Sequence, residues 1–161
     1  VKFLLANKGL VKIIQPYLDN LKKIGILIEP EVIDYPSYRK RIASKKFDMM
    51  ILKVKQSQYP GTEQRDLWHS SSARLSDSKN YYALKHKAVD FLVNKILYSK
   101  TKEDLVFYTK CLDRVLYHLH ISVMNWYINS YRVAYNKNFT RYKNLPLYYS
   151  PLEIIPFMWR K

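Results

Sequence analysis

The sequence of 161 residues predicts an α/β fold, and three observations lead to that class. Short apolar runs of strand length alternate with amphipathic stretches over the first third of the chain. The first such unit has the order strand, helix, strand, which favours parallel strands joined by a right-handed crossover. Two longer helical patterns follow. A chain of this length suits one compact domain, which buries roughly 70% of its unfolded surface.

The first strand is predicted at Lys2–Ala6 and ends at the turn Asn7-Lys8-Gly9. A helix follows, because apolar residues recur at three- and four-residue spacing: Leu10, Ile13, Ile14, Tyr17, Leu18, Leu21 and Ile24. Pro16 lies inside this pattern and lacks a backbone donor, so we expect either a kink or a helix start there. Gly25 predicts the helix end, and the second strand is predicted at Ile26–Asp34.

The next elements surround the most apolar run of the chain, Phe47–Val54, which we interpret as a central strand. A short helix is predicted before it, at about Pro36–Ser44. Lys55–Gly61 is predicted to be a loop, and Gly61–Ser70 a helix capped by Thr62.

Two helices are predicted after a serine-rich polar stretch, Ser70–Lys79, which reads as a surface loop. They span roughly Lys87–Leu97 and Lys102–Leu119. Thr101 precedes the second helix and Asp104 lies three residues further on, so Thr101 is expected to cap it.

The last third of the chain predicts a strand pair and an extended tail. Strands are expected at Ile121–Ile128 and Arg132–Tyr135, joined by a turn. Three prolines in Leu145–Trp159 predict an extended, irregular segment. We therefore divide the chain into a lobe at residues 1–144 and a tail at residues 145–161.

The charge of the chain allows two interpretations. Lysine and arginine total 28 against 13 Asp and Glu, a formal net charge of +15. Such an excess attracts nucleic acids and anionic surfaces, and the densest basic run is Arg39-Lys40-Arg41 with Lys45-Lys46 close by. Abundant Lys, Asn, Ile and Tyr are also what an AT-rich genome produces. No recognised nucleic-acid motif accompanies the charge. We therefore favour compositional drift in an AT-rich genome as the origin of the charge, and we expect no specific nucleic-acid partner.

The sequence lacks the motifs of several classes of functional site. The three glycines are too dispersed for a P-loop or a dinucleotide fingerprint. The single cysteine, Cys111, excludes a disulfide framework and reads as a small buried hydrophobe. His69 precedes three serines, but no third member of a catalytic triad is apparent. The apolar stretches are too short to span a membrane. We expect no catalytic residue, no metal site and no cofactor.

One segment has a recognisable order of residues. Phe47–Ile51 is followed by Gln56–Trp68, whose letters are QSQYPGTEQRDLW, then by Asn80 and Asp90. This order resembles the C-terminal lobe of extracellular solute-binding protein family 5, the dipeptide/oligopeptide class. The Tyr59–Trp68 run is most similar to the branch that serves oligopeptide and microcin C uptake. Further similar pieces extend the resemblance over about residues 2–150: Lys2–Ala6, Gln15–Tyr17, Asn20–Ile26, Leu112–Leu116, Val123–Tyr127 and Arg132–Tyr135.

The resemblance implies a periplasmic-binding-protein-like lobe of type II, with a mixed sheet flanked by helices. It implies a receptor of two lobes that traps a peptide and delivers it to an ABC permease in the membrane, without catalysis. The implied partners are the peptide, the permease and the N-terminal lobe, which is missing here. The expected ligand-binding residues are Gln56, Ser57, Gln58, Tyr59, Trp68, Asn80, Trp126 and Tyr127. Core packing is the alternative role for each aromatic side chain, and holding a turn is the alternative for Asn80.

The sequence also departs from the family. Many oligopeptide receptors carry an Asp in the loop matching Gln56–Gln58, where it pairs with the peptide's amino terminus, but no acid is present here. A neutral loop suggests a ligand bound independently of its terminus, a modified peptide, or loss of function.

Length is the larger departure, because family members are about three times as long. We expect a fragment, a split gene product or the product of a decayed gene. The family implies a periplasmic location. Val1–Asn7 has neither an apolar h-region nor a cleavage site, so a cytoplasmic location is the alternative for this chain alone. A basic module that binds nucleic acid or anionic surfaces, and a non-functional remnant, are the alternative functions.

Overall fold

The structure is a computed structural model that describes residues 1–54, 59–125, 134–141 and 158–160. The chain divides into two compact units, Val1–Ser122 and Val123–Lys161. The elements of the first unit, in chain order, are β1 (Lys2–Leu5), α1 (Gly9–Lys23), β2 (Glu29–Val32), α2 (Tyr35–Ala43), β3 (Met49–Met50), α3 (Glu63–Trp68), a 3₁₀ turn (Ser70–Ser72), α4 (Lys87–Leu97) and α5 (Lys102–His118). The predicted α/β class is confirmed.

The sheet of the first unit is parallel and has the strand order β2-β1-β3. Phe3 lies opposite Pro30 on one side and Met49 on the other. The prediction that Phe47–Val54 forms the central strand is wrong, because β1 is central in the described sheet and only Met49–Met50 pair with it. Three consecutive residues of β1 are buried, Phe3, Leu4 and Leu5, as expected for a strand covered on both faces.

The helix α1 runs through Pro16, so the alternative that it starts at this proline is wrong. Its buried residues, Ile14 and Leu18, pack against Phe3 and Leu5 of β1. It ends at a Schellman motif in which Gly25 has a φ of 82°, Gly25 N donates to Lys22 O, and Ile26 N donates to Leu21 O.

Strand β2 begins three residues later than predicted, at Glu29. Ile26 and Leu27 precede it as exposed residues of the connection. The Asp34 carboxylate caps the next helix by accepting the backbone N–H of Ser37, and this hydrogen bond lowers the pKa of Asp34. The chain moves in one direction along the sheet from β1 to β2, and in the opposite direction from β2 past β1 to β3. Because both of these connections are expected to be right-handed, their helices, α1 and α2, lie on opposite faces of the sheet.

The second half of this unit is a helical layer built on α4 and α5. Its core consists of Val89, Leu92, Val93, Ile96 and Leu112. The bounds predicted for α4 are confirmed, and α5 ends one residue before its predicted end. Cys111 packs against this core, as predicted for a small hydrophobe, but it is half-buried rather than buried.

Two threonines at helix starts allow a matched test of capping. Thr101 Oγ1 accepts a hydrogen bond from Asp104 N at 3.1 Å, whereas within the described residues the side chain of Thr62 makes no capping bond to α3. We expect Thr101→Ala to lower the free energy of unfolding by about 1 kcal/mol and Thr62→Ala by a few tenths, measured by urea titration. Equal losses in the two variants would contradict the assignment of Thr101 as the working cap.

The predicted surface loop at Ser70–Lys79 is partly buried, which corrects the prediction. Ser72, Ala73 and Ser78 are buried. Ser72 Oγ donates to His69 O at 2.7 Å, and Ser78 Oγ donates to Ser72 O at 2.6 Å. Serine hydroxyls can enter the interior because they bond the local backbone, and a composition rule that treats them as exposed misses this.

In the second unit, β4 (Phe139–Arg141) pairs with β5 (Met158–Arg160) in antiparallel fashion. The described residues 121–125 and 134–135 carry no strand, so the predicted strand pair is wrong there, and residues 126–133 lie outside the described part. Residues 142–157 also lie outside it, and the boundary between residues 144 and 145 stays a prediction. Among the described helices, none is long and apolar enough to cross a membrane.

Candidate functional site

The strand order predicts a crevice at the carboxyl edge of the sheet. From β1 the chain continues through α1 to β2, which lies beside β1 on one side, while β3 lies beside β1 on the other side. Where neighbouring parallel strands send their connections in opposite directions, the loops diverge and leave a crevice, which is where open α/β sheets bind ligands. Here the two loops are Ala6–Lys8 after β1 and residues 51–54 after β3. The predicted ligand residues Gln56–Gln58 follow in sequence and lie outside the described residues.

The loop after β1 is held by an Asx turn. Asn7 Oδ1 accepts the backbone N–H of Gly9 at 2.7 Å, and Asn7 O accepts that of Leu10 at 3.1 Å. A Cβ on residue 9 would lie 3.2 Å from Asn7 Oδ1, so glycine permits this close approach. In the sequence these residues predict only a turn. Their place in the crevice depends on the strand order, which the sequence did not reveal.

Five of the eight predicted ligand residues lie outside the described part of the chain: Gln56, Ser57, Gln58, Trp126 and Tyr127. The other three are Tyr59, Trp68 and Asn80. They occupy different environments, and their ligand roles stay predictions.

Trp68 is half-buried at the end of α3 and packs against the α4–α5 core. Its ring stacks on that of Tyr82, with the centroids 5.7 Å apart and the planes 16° apart. Burial raises the pKa of Tyr82, and the hydrogen bond of its side chain with Ser122 opposes this shift. These contacts match the core-packing alternative for Trp68.

Asn80 is completely buried, with 0% of its surface exposed. Its Nδ2 donates to His69 O at 3.2 Å and Leu84 O at 3.1 Å, and its Oδ1 accepts from Leu84 N at 2.9 Å. The whole amide is therefore engaged by the backbone. These contacts match the alternative that Asn80 holds a turn.

Tyr59 borders an open groove at the junction of α4 and α5. This α4–α5 groove has a volume of about 410 Å³ and is formed by Tyr59–Thr62, Ile96, Leu97, Ser99–Lys102 and Leu105. Its volume falls within the range of ligand pockets, about 300–1,000 Å³. This groove could not be predicted from the sequence, since its walls come from segments about forty residues apart and each segment alone predicts only a turn or a helix end.

His69 and the serines that follow it lie near a carboxylate in the structure, although the sequence showed no acidic third member of a catalytic triad. Asp90 Oδ1 lies 3.9 Å from His69 Nε2, and Ser71 Oγ lies 2.9 Å from His69 Nδ1. Each partner also has a capping role: Ser71 N donates to His69 Nδ1, and Asp90 Oδ1 accepts Ser70 N at 2.7 Å. None of these residues lines the α4–α5 groove. The cluster therefore caps the 3₁₀ turn.

The basic run on α2 does not form a uniform cationic surface. Arg41 Nη1 pairs with Glu31 Oε1 at 2.7 Å, and this contact lowers the pKa of Glu31. Lys45 points its ammonium group at the 70–78 loop, where Ser72 O, Ala73 O and Ser78 Oγ accept its hydrogen bonds. Among the described residues, no group of three or more His, Cys, Asp or Glu side chains could hold a metal ion.

The fold is that of a periplasmic-binding-protein-like α/β lobe. The NikZ protein of Campylobacter jejuni, solved in complex with Ni(L-His), superposes with a TM-score of 0.61 at 18% identity, over 74% of this chain and 24% of that one. The chain is 35% identical over 148 residues to the peptide-binding protein YejA of Agrobacterium fabrum. It is 33% identical over 147 residues to the y4wM protein of Sinorhizobium fredii.

These relationships identify the family. The chain belongs to extracellular solute-binding protein family 5 and corresponds to part of the C-terminal lobe of its members. The matches cover 92% and 91% of this chain but only 24% and 22% of the two relatives, so it spans about a quarter of their length. No protein-family model matches the sequence. The relative from Agrobacterium is named as a binding protein and not as an enzyme.

Proposed function

We propose that the chain is the C-terminal part of the substrate-binding component of an ABC transporter for peptide uptake. The observation that carries the proposal is the β2-β1-β3 strand order, since open parallel sheets bind ligands at the carboxyl edge where the strand order reverses. We propose that Gln56–Gln58, which follow β3 in sequence, contact the ligand there. The name of the relative in Agrobacterium fabrum supports a peptide as the ligand.

The residues of this crevice suit a peptide main chain. Glutamine and serine side chains both donate and accept hydrogen bonds, so they pair with peptide N–H and C=O groups whatever the ligand's sequence. Gln56, Ser57 and Gln58 are proposed to supply such groups after β3, and Asn7 and Lys8 to supply further contacts after β1. Trp126 and Tyr127 are proposed as adaptable aromatic walls.

The partners in this proposal are an N-terminal lobe that closes over the peptide and a membrane permease that receives it, at a periplasmic location. A receptor with a dissociation constant of ~1 μM gains about 8 kcal/mol on binding, and half of that corresponds to only ~1 mM. This chain alone should therefore bind peptides weakly. Complete binding requires the other lobe.

The test is a chimaera in which this chain replaces the matching segment of the Agrobacterium fabrum relative. Calorimetric titration with a pool of short peptides should give saturable binding, and Gln58→Ala should weaken it about tenfold through the loss of one hydrogen bond. Gln15→Ala is the matched control, because Gln15 is exposed on α1 and bonds Asp19 within that helix. A folded chimaera that binds no peptide would overturn the proposal, and unchanged affinity in Gln58→Ala would remove Gln58 from the site.

A further inference from the structure

The α4–α5 groove combines an apolar floor with a cationic rim. Ile96 is buried at 3% exposure, and Leu97 and Leu105 are half-buried beside it. Lys100 and Lys102, which are exposed, and Tyr59, which is 60% exposed, also line the groove. An occupant that fits both features carries an apolar side chain next to a negative charge.

The residues that line the groove carry two positive charges and no negative charge. The nearest described carboxylate in sequence on the Tyr59 side belongs to Glu63, and it accepts the backbone N–H of Gly61 at 2.9 Å. On the other side, Glu103 is exposed in the first turn of α5 and does not line the groove. The electrostatic preference of the groove is therefore for an anion.

The chain itself limits how far the groove lies from the end of the described segment after β3, at Val54. Val54 and Tyr59 are five residues apart in sequence, and a fully extended chain of that length covers at most about 18 Å. A bound peptide in extended conformation advances about 3.3 Å per residue, so roughly five residues bridge the same distance. One short peptide is therefore long enough to span the distance from Val54 to the groove.

We propose that the α4–α5 groove binds the carboxyl end of the peptide, with the last side chain on Ile96, Leu97 and Leu105 and the terminal carboxylate beside Lys100 and Lys102. This inference rests on the proposed function and adds a direction to it. The neutral Gln56–Gln58 loop contacts the main chain, and the cationic groove selects ligands that end in a free carboxylate.

The test compares N-acetyl-Ala-Ala-Leu with a free carboxylate and the same peptide as its amide, titrated into the full 161-residue chain at low ionic strength and followed by NMR. The carboxylate form should bind with a dissociation constant of ~1 mM and about fivefold more tightly than the amide. Its chemical shift changes should centre on Ile96, Leu105 and Tyr59. The double variant Lys100→Gln/Lys102→Gln should remove the fivefold difference, and Lys110→Gln, an exposed α5 lysine outside the groove, should keep it.

Equal affinities for the two peptide forms, or shift changes that map elsewhere, would overturn the inference. The same pair of peptides, titrated into the chimaera, separates this result from the proposed function. If the chimaera binds both forms equally well, the proposed function stands and the groove assignment fails. If the chimaera binds neither form nor any peptide of the pool, the proposed function fails independently of the result on the isolated chain.

Discussion

Replacing Asn80 by alanine should lower the free energy of unfolding of this chain by about 3 kcal/mol, one of the largest effects expected for a single polar residue. The substitution removes three hydrogen bonds and leaves Leu84 N, Leu84 O and His69 O without these partners in a buried place. It also releases the turn at Ala83, whose φ of 49° is unfavourable for a residue with a Cβ. Urea-induced unfolding, followed by circular dichroism, measures the loss.

Two further variants make this prediction specific. Asn80→Asp keeps the size of the side chain but replaces Nδ2 by an oxygen facing two carbonyl groups, so it should destabilise the chain at least as much as Asn80→Ala. Asn20→Ala removes an exposed asparagine of α1, whose Oδ1 accepts Lys23 Nζ at 3.0 Å, and should cost less than about 0.5 kcal/mol. If Asn80→Ala were as stable as Asn20→Ala, the turn would not depend on this amide. Loss of peptide binding in the chimaera without loss of stability would instead assign Asn80 to the ligand.

The helices were predictable because their evidence is local. Helical patterns and a capping threonine before α5 specified α4 and α5 almost to the residue, and Thr101 makes the predicted bond. Gly25 likewise ends α1 in the left-handed conformation that few other residues adopt. Such features depend on neighbours within four or five positions, which a sequence displays directly.

The sheet was less predictable because its order depends on long-range pairing. Phe47–Val54 is the most apolar run, yet only Met49–Met50 are paired in the described sheet, and they lie at an edge. The shorter run in β1 is central because it pairs on both sides. Hydrophobicity reports how much surface a strand buries, but it does not report which strands lie beside it.

The candidate site shows the same division. The Gln56–Trp68 run identified the family through its residue order, and the comparison with relatives confirms that family. Neither the crevice between the loops after β1 and β3 nor the α4–α5 groove could be predicted, since each brings together segments distant in sequence. Asn80 was assigned on its position in the family order, whereas its burial and its three bonds appear only in the folded chain.

Lys45 connects the two halves of the first unit, and we expect Lys45→Met to lower the free energy of unfolding by about 2 kcal/mol. Lys45 follows α2 at the edge of the sheet layer, and its ammonium group donates to Ser72 O, Ala73 O and Ser78 Oγ in the loop that leads to the helical layer. Methionine preserves the length of the side chain but cannot donate, so these buried acceptors lose a charged partner.

The backbone of Lys45 provides an internal comparison. Its φ of 55° is the left-handed conformation that glycine adopts without cost, and Lys46 N donates to Arg41 O in the Schellman pattern. Lys45→Gly therefore loses the same three bonds but relieves about 1 kcal/mol of backbone strain, so its net loss should be about half that of Lys45→Met. Lys46→Met, at the exposed neighbour, should change stability by less than about 0.5 kcal/mol.

The pH dependence of stability tests the side chain of Lys45 separately from its backbone conformation. Burial lowers the pKa of its ammonium group below the ordinary value of 10.5, and Asp66 opposes the shift. Between the lowered pKa of Lys45 in the folded chain and its ordinary pKa in the unfolded chain, the unfolded chain binds more protons. Lys45 therefore makes the free energy of unfolding rise with pH in this alkaline window. The advantage of wild type over Lys45→Met, measured by urea titration, should therefore grow as the pH rises through this window. If Lys45→Gly were more stable than wild type at neutral pH, the three bonds would contribute less than the strained backbone costs, and the link between the two layers would have to lie in their apolar contacts.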